Sequence, residues 1–205
     1  MTKRRTQAQR TEESDNAMFK AAIDIISKDG PSNMTLAKVG KAAGFTGGLV
    51  SYRFGSKSGL LQAVSERILE LWRAKILQDS KLVKSSGVER LKLVAEEYLT
   101  NVRKRSPLMT AQLRLMHASY GSCPDLLPYF QANDKDVRDS IVYIISEDKH
   151  FSKDLDPIAF ATVFIGTLRG VAQQYFINPK DVDLEQTKHM IWKICEDASR
   201  NSTAT

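Results

Sequence analysis

The chain has 205 residues, is 42% apolar and carries a net charge of +6, so it holds enough hydrophobic material for one large or two small domains and is not a disordered polymer. Its two cysteines, Cys123 and Cys195, are far apart and lack metal-ligand spacing, which excludes a disulfide framework or zinc ribbon and fits a reduced cytosolic compartment. The cationic excess is uneven: residues 1–85 carry 15 Lys+Arg against 8 Asp+Glu, and residues 86–205 carry 15 against 16. An acidic polymer is the natural partner of the first part. Met1 to Asp15 is polar, without the apolar core of a signal peptide, and the longest nearly apolar run, Ile158 to Leu168, is too short to span a bilayer.

In chain order the pattern is helical throughout, without repeats or period-2 strand signals, so the expected fold class is all-α. Thr2 to Arg10 is a basic tail. A first helix is expected from Glu12 to Asp29, with Ala17, Met18, Ala21, Ala22, Ile25 and Ile26 on one face and Gly30-Pro31 as its stop. Thr35 caps a short helix, Leu36 to Ala43, ended by Gly44. Thr46 caps a second, Gly47 to Phe54, and Ser56 caps a long helix expected to reach Val83. Further helices are expected over Val88 to Arg105, Met109 to Tyr120, Leu126 to Ser146, Pro157 to Phe176 (capped by Asp156) and Leu184 to Arg200.

Two short helices joined at one glycine describe a helix-turn-helix. Gly44 enters the left-handed conformation cheaply. Val39, Ala43, Phe45 and Val50 supply an apolar seam, and Gly40, Ala42 and Ala43 let the helices approach closely. The second helix shows Thr46, Gly47, Gly48, Ser51, Tyr52 and Arg53 at its start and side, small and polar at the front, as entry into a major groove requires. Lys57 sits in the first turn of the long helix, where the macrodipole mildly disfavours a cation; a DNA phosphate docked there would explain it, the alternative being an ordinary surface lysine.

This segment resembles the N-terminal domain of TetR/AcrR-type transcriptional regulators, on Thr35, Val39, "AAG" at 42–44, Phe45, Thr46, "GLVSY" at 48–52, Phe54, "SK" at 56–57 and "LL" at 60–61. The resemblance implies a three-helix DNA-binding domain over 1–57 and a larger helical effector-binding and dimerisation domain over 58–205, bridged by the helix at about 57–83. It implies backbone-phosphate contacts from Thr35 and Lys57, and recognition positions at Thr46, Gly47, Gly48, Ser51, Tyr52 and Arg53, with Arg53 reaching backbone or a guanine edge. Two residues depart from the family pattern. Arg53 stands where histidine is frequent, and Gly40 stands where alanine is usual, slightly weakening its helix.

The family plan also implies a small-molecule pocket, for which Trp72, Met109, Leu113, Met116, His117, Tyr120, Phe130, Phe160, Phe164 and Tyr175 are candidates suited to an apolar or aromatic effector. Gly166 and Gly170, with Ile191 and Trp192 on the last helix, are candidates for a two-fold dimer bundle. Asp134, Asp136 and Asp139 do not match a calcium loop and are read as a solvated helix face. No nucleophile elbow, Gly-rich phosphate loop or metal-ligand pattern appears, so an enzyme, a cofactor and a bound metal are not expected. The expected partners are double-stranded DNA, a small effector and a second copy of the chain, with no membrane. The expected location is the cytoplasm, on the nucleoid when DNA is held. Two functions compete: a repressor released from a palindromic operator by its effector, and a DNA-tethered protein adaptor with no effector.

Overall fold

In the computed structural model, residues 6–78 and 85–199 are described, with the side chains of 72–78 outside the described set. Every regular element among them is helical. Helix α1 (Gln7–Asp29) begins earlier than the apolar stripe suggests. Thr6 and Gln9 form a reciprocal capping box: the Gln9 N–H donates to Thr6 Oγ1 at 3.3 Å, and the Thr6 N–H donates to Gln9 Oε1 at 2.9 Å. The polar stretch Gln7–Arg10, read as tail, is therefore the first turn of a helix capped by Thr6; residues 2–5 of that tail lie outside the described residues.

The next three helices follow their caps. Thr35 Oγ1 accepts from the Lys38 N–H at 3.2 Å to start α2 (Leu36–Ala43), and Thr46 Oγ1 accepts from the Leu49 N–H at 3.2 Å to start α3 (Gly47–Phe54). Gly44, at φ 80° and ψ 24°, is the left-handed residue between them. The long helix α4 (Lys57–Gln78) is capped by Ser56, whose Oγ accepts from the Gly59 N–H at 3.1 Å. Its expected end at Val83 lies outside the described residues.

Beyond it run α5 (Gly87–Lys104), α6 (Pro107–Ser119), a 3-10 turn at Pro124–Leu126, α7 (Leu127–Glu147), α8 (Pro157–Ile177) and α9 (Leu184–Ser199). Two starts were not read from the apolar pattern: Ser86 caps α5 at Gly87, and α6 opens on Pro107 itself. Asp156 Oδ1 caps α8 through the N–H groups of Ile158 and Ala159 at 2.9 and 3.2 Å. No helix among the described residues is long and apolar enough to cross a membrane.

The helices gather into two compact units that interleave along the chain. One joins the described chain up to Trp72 with Pro107–Phe130. Its core takes Met18, Ala22 and Ile26 from α1, Met34 from the following loop, Val39 and Val50 from the short pair, and Leu60, Val64 and Ile68 from α4. Ala111, Leu115 and Leu126 complete it from more than forty residues downstream. Thus α6 packs on α1, and Arg114 Nη1 donates to the Ile26 carbonyl at 3.4 Å. Phe54, closing α3, meets Phe19 of α1 edge-on at 5.4 Å.

The second unit takes Arg73–Ser106 and the chain from Gln131 onward. Here α5 packs against α8 and α9, burying Leu91, Ala95, Leu99 and Val102. Lys92 pairs with Glu196 at 2.5 Å. Arg105, in the left-handed region at φ 45°, ends α5 and donates to the Tyr175 and Phe176 carbonyls at the end of α8, at 3.2 and 3.1 Å. The acidic run on α7 is not simply a solvated face. Asp134 bridges Arg138 on its own helix and Arg169 on α8, the latter at 2.5 Å, whereas Lys135 and Asp139 form an exposed pair.

The contact that sets the geometry of the first unit is between backbones. A Cβ built on Gly40 would lie 2.7 Å from the Thr46 carbonyl carbon and 2.8 Å from the Gly47 nitrogen. Gly40 is therefore no mild helix weakener; it is the place where α2 touches the start of α3. Gly40→Ala should cost about 1–3 kcal/mol by overpacking and lower the melting temperature by about 2–4 °C per kcal/mol in a chain of this size, measured by thermal denaturation.

The second unit carries an alkaline limit. Burial pushes the Cys195 thiol from 9.0 up to about 12 and the Tyr98 phenol from 10.0 up to about 12, in each case against a partial offset from a nearby cation, Lys92 and Arg169 respectively. Both folded values are raised, so the stability from keeping each group neutral is complete below its unfolded value and is lost as pH rises toward 12. Denaturant midpoints should fall from pH 9 upward, and Cys195→Ala should delay the onset of that fall to the range where Tyr98 ionises.

Candidate nucleic-acid interface

The outer side of α3 is built by the two threonine caps and the Gly40 contact. With Val50 turned fully into the core and Leu49 packed against it, the opposite side of an eight-residue helix must face outward. There the structure places Thr46, Gly48, Ser51 and Tyr52, all exposed; Tyr52 is 83% exposed, unusual for an aromatic residue. Ser51 Oγ donates to the Gly55 carbonyl at 3.2 Å. The two glycines at the front differ. A Cβ on Gly47 would come 3.0 Å from Ala37 Cα, so this residue serves the packing of α2 on α3. A Cβ on Gly48 would find its nearest neighbour, Thr46 Oγ1, at 3.7 Å, so its surface is open to an approaching molecule.

Three other candidates are more committed to the protein than their spacing indicates. Thr35 is exposed but spends its hydroxyl oxygen on the α2 cap. Arg53 turns toward α1, where its Nε lies 3.2 Å from Asp15 Oδ1. Lys57 donates from Nζ to the Ser32 carbonyl at 2.6 Å, tying the start of α4 to the α1–α2 loop. A cation at a helix N-terminus is thus accounted for inside the fold, and two of the three ammonium protons stay available. Asp15 and the Ser32 carbonyl escape sequence reading because each meets its partner only through the tertiary fold; no local spacing links α1 to the end of α3.

Residues 19–64 match the family model described as "Bacterial regulatory proteins, tetR family". That match covers the helix pair, the exposed face of α3 and the start of α4. This segment is a helix-turn-helix of the TetR type. Similarity extends along most of the chain as well. The chain is 22% identical over 191 residues, 91% of each chain, to the HTH-type transcriptional regulator BetI 1 of Chromohalobacter salexigens. A TetR-family transcriptional regulator from Cytophaga hutchinsonii shares the fold at a TM-score of 0.80 and 14% identity, over 96% of this chain and 98% of that one. SmeT, solved as a complex with triclosan, shares it at 0.75 and 21% identity, over 93% of both chains.

The pocket candidates fall into both units. Met109 is fully buried, Leu113 is half-buried, Met116 packs against the first unit's core, and Phe130 belongs to that core. On the same stretch His117 is exposed and Tyr120 is 74% exposed. In the second unit Phe160 and Phe164 stack at 6.2 Å, with Phe151 beside Phe160, and Tyr175 is half-buried under the Arg105 guanidinium. The side chain of Trp72 lies outside the described residues. Of the dimer candidates, Ile191 is buried within its own chain, and Trp192 is half-buried between Lys92 and Lys188. Gly166 is exposed and Gly170 half-buried, with open space over each.

The Lys57 tether has a measurable weight. Lys57→Met should lower stability by about 1 kcal/mol, the usual net value of one hydrogen bond, read as a shift of the denaturant midpoint at constant m-value.

Proposed function

We propose that this protein represses transcription by occupying a palindromic operator as a homodimer and is released by a small apolar or aromatic ligand. In this reading residues 1–57 hold the DNA and residues 58–205 take the effector and the second copy. The observation that carries it is the outward face of α3: four exposed residues, small and polar at the front with Tyr52 beside them, on a helix whose position is fixed by contact with α2. Thr46, Gly48, Ser51 and Tyr52 then read or brace the groove, Gly47 sets the helix close to α2, and Thr35, Arg53 and Lys57 meet backbone phosphates or a base edge.

A dimer is supported by α8 and α9. Ala159, Thr162, Val163, Gly166 and Gly170 make an exposed or half-exposed stripe of small residues, and Met190 and Ile194 lie open on α9. Such a stripe lets a second helix come close. Two heads about 34–36 Å apart would meet successive major grooves of one face of DNA. The ligand class is supported by the stacked Phe160–Phe164 pair and by SmeT, the neighbour solved with triclosan. A ligand that shifts the second unit would change head spacing and so the affinity for an inverted repeat.

Selection from randomised duplex DNA at near-physiological salt tests the reading, because phosphate contacts alone bind without sequence preference. An enriched inverted repeat is the expected outcome. A pool without any enriched sequence would replace the repressor by a DNA-tethered adaptor. On the selected duplex, Tyr52→Ala should weaken binding about tenfold, the scale of one good contact at such an interface, with an unchanged melting temperature because Tyr52 packs against so little.

A further inference from the structure

We propose that Asp15 is a positioning residue for Arg53, holding one edge of its guanidinium so that both Nη groups form a preset fork for a pair of acceptor atoms on DNA. The proposal rests on α3 being the DNA-reading helix. Arg53 lies in the last turn of α3 and Asp15 in the first half of α1, and their side chains are 27% and 31% exposed. The contact is made by Nε, at 3.2 Å from Asp15 Oδ1. That oxygen is buried and has no hydrogen bond of its own, so Arg53 is the charge that balances it. Swinging Arg53 away would leave a buried anionic oxygen uncompensated. A guanidinium is planar, and a carboxylate paired at its Nε leaves the Nη1/Nη2 end open to a second pair of acceptors. Among the described residues neither Nη makes a hydrogen bond.

A loose arginine loses rotamer freedom when it docks; one already held loses less. The acceptor pair is either two oxygens of a phosphate or the O6/N7 edge of a guanine, and both match the same fork.

Charge and position predict opposite signs. If Asp15 acts only as a negative charge near DNA, removing it tightens binding. If it positions Arg53, removing it weakens binding. The measurement is the affinity of the full chain for the duplex it selects from a random pool, and for a scrambled duplex of the same composition, across a salt series. Asp15→Ala is expected to weaken binding to the selected duplex about tenfold. Asp15→Glu should restore most of the loss, and Asp15→Ala should change little in a chain that already carries Arg53→Ala. Asp15→Asn keeps the shape and drops the charge, and it too should weaken binding, which guards against a stability effect of alanine. In Arg53→Ala, a slope of log K against log[salt] shallower by about one identifies a phosphate; a reduced selected-to-scrambled ratio at constant slope identifies a guanine. Tighter or unchanged binding in both Asp15→Ala and Asp15→Asn, with Arg53→Ala weakened, overturns the role of Asp15 alone. Wild-type affinity in Arg53→Ala overturns the reading of Arg53 as a DNA contact, and the proposal with it.

Discussion

Much of what this chain can do depends on the absence of one methyl group. The backbone of α2 reaches the Thr46–Gly47 peptide at a distance that no side chain at position 40 could share. Close approach there lets the first turn of α3 lean on α2. The apolar side of α3 then enters the core at Val50, and its polar side is left outward. Gly44 supplies the left-handed residue that turns the chain, and the Phe45 N–H closes the turn on the Gly40 carbonyl at 2.8 Å. One residue is thus both the contact surface and an anchor of the turn. A helix of eight residues has little stability of its own, so its aim is inherited from these neighbours.

The local features of this arrangement are legible in the sequence, and the distant ones are not. Thr35, Thr46, Ser56 and Asp156 mark helix starts correctly, since a cap is a bond across three residues and leaves a short pattern. The start of α1 is hidden because its opening turn is polar: a capping box of threonine and glutamine carries no apolar stripe, and among arginines it resembles a tail. Gly40 is visible as a departure from the usual alanine, but propensity assigns it only a small penalty. The larger reason lies across a turn, in a backbone it must touch. The partners of Arg53 and Lys57 are similarly out of view, being an aspartate and a carbonyl on other elements. The apolar pattern of the later helices gives their existence, yet it does not say which unit each one joins.

The outer face of α3 and the second unit obey different physics. On α3, polar atoms are left open and the aromatic ring of Tyr52 stands in solvent, which costs little in the free protein and leaves contact area for a partner. In the second unit several charged groups are matched within the fold, although the indole N–H of Trp192 is buried without an acceptor among the described residues. Asp134 serves two arginines, Lys92 and Lys188 flank Trp192, and Arg105 closes the end of α8. An arginine in a left-handed conformation is a costly way to end a helix, and here its guanidinium recovers two carbonyls and lies 5.1 Å from the Phe176 ring centre. The residue that terminates α5 is therefore fastened to α8 two residues before α6 begins.

Because the first unit draws α6 and the Pro124–Leu126 turn into its core, the chain passes between the units three times: after Trp72, after Ser106 and after Phe130. Shortening the protein to its opening stretch would strip Ala111, Leu115 and Leu126 from the core they share with α1 to α4 and leave its apolar side open to water. Recombination that exchanges the first seventy residues between relatives meets the same limit, for a transplanted head must accept the recipient's α6 as its own. The opening helices and α6 are in that sense one hereditary unit, and sequence is free to drift mainly where the outer face of α3 touches nothing else in the chain.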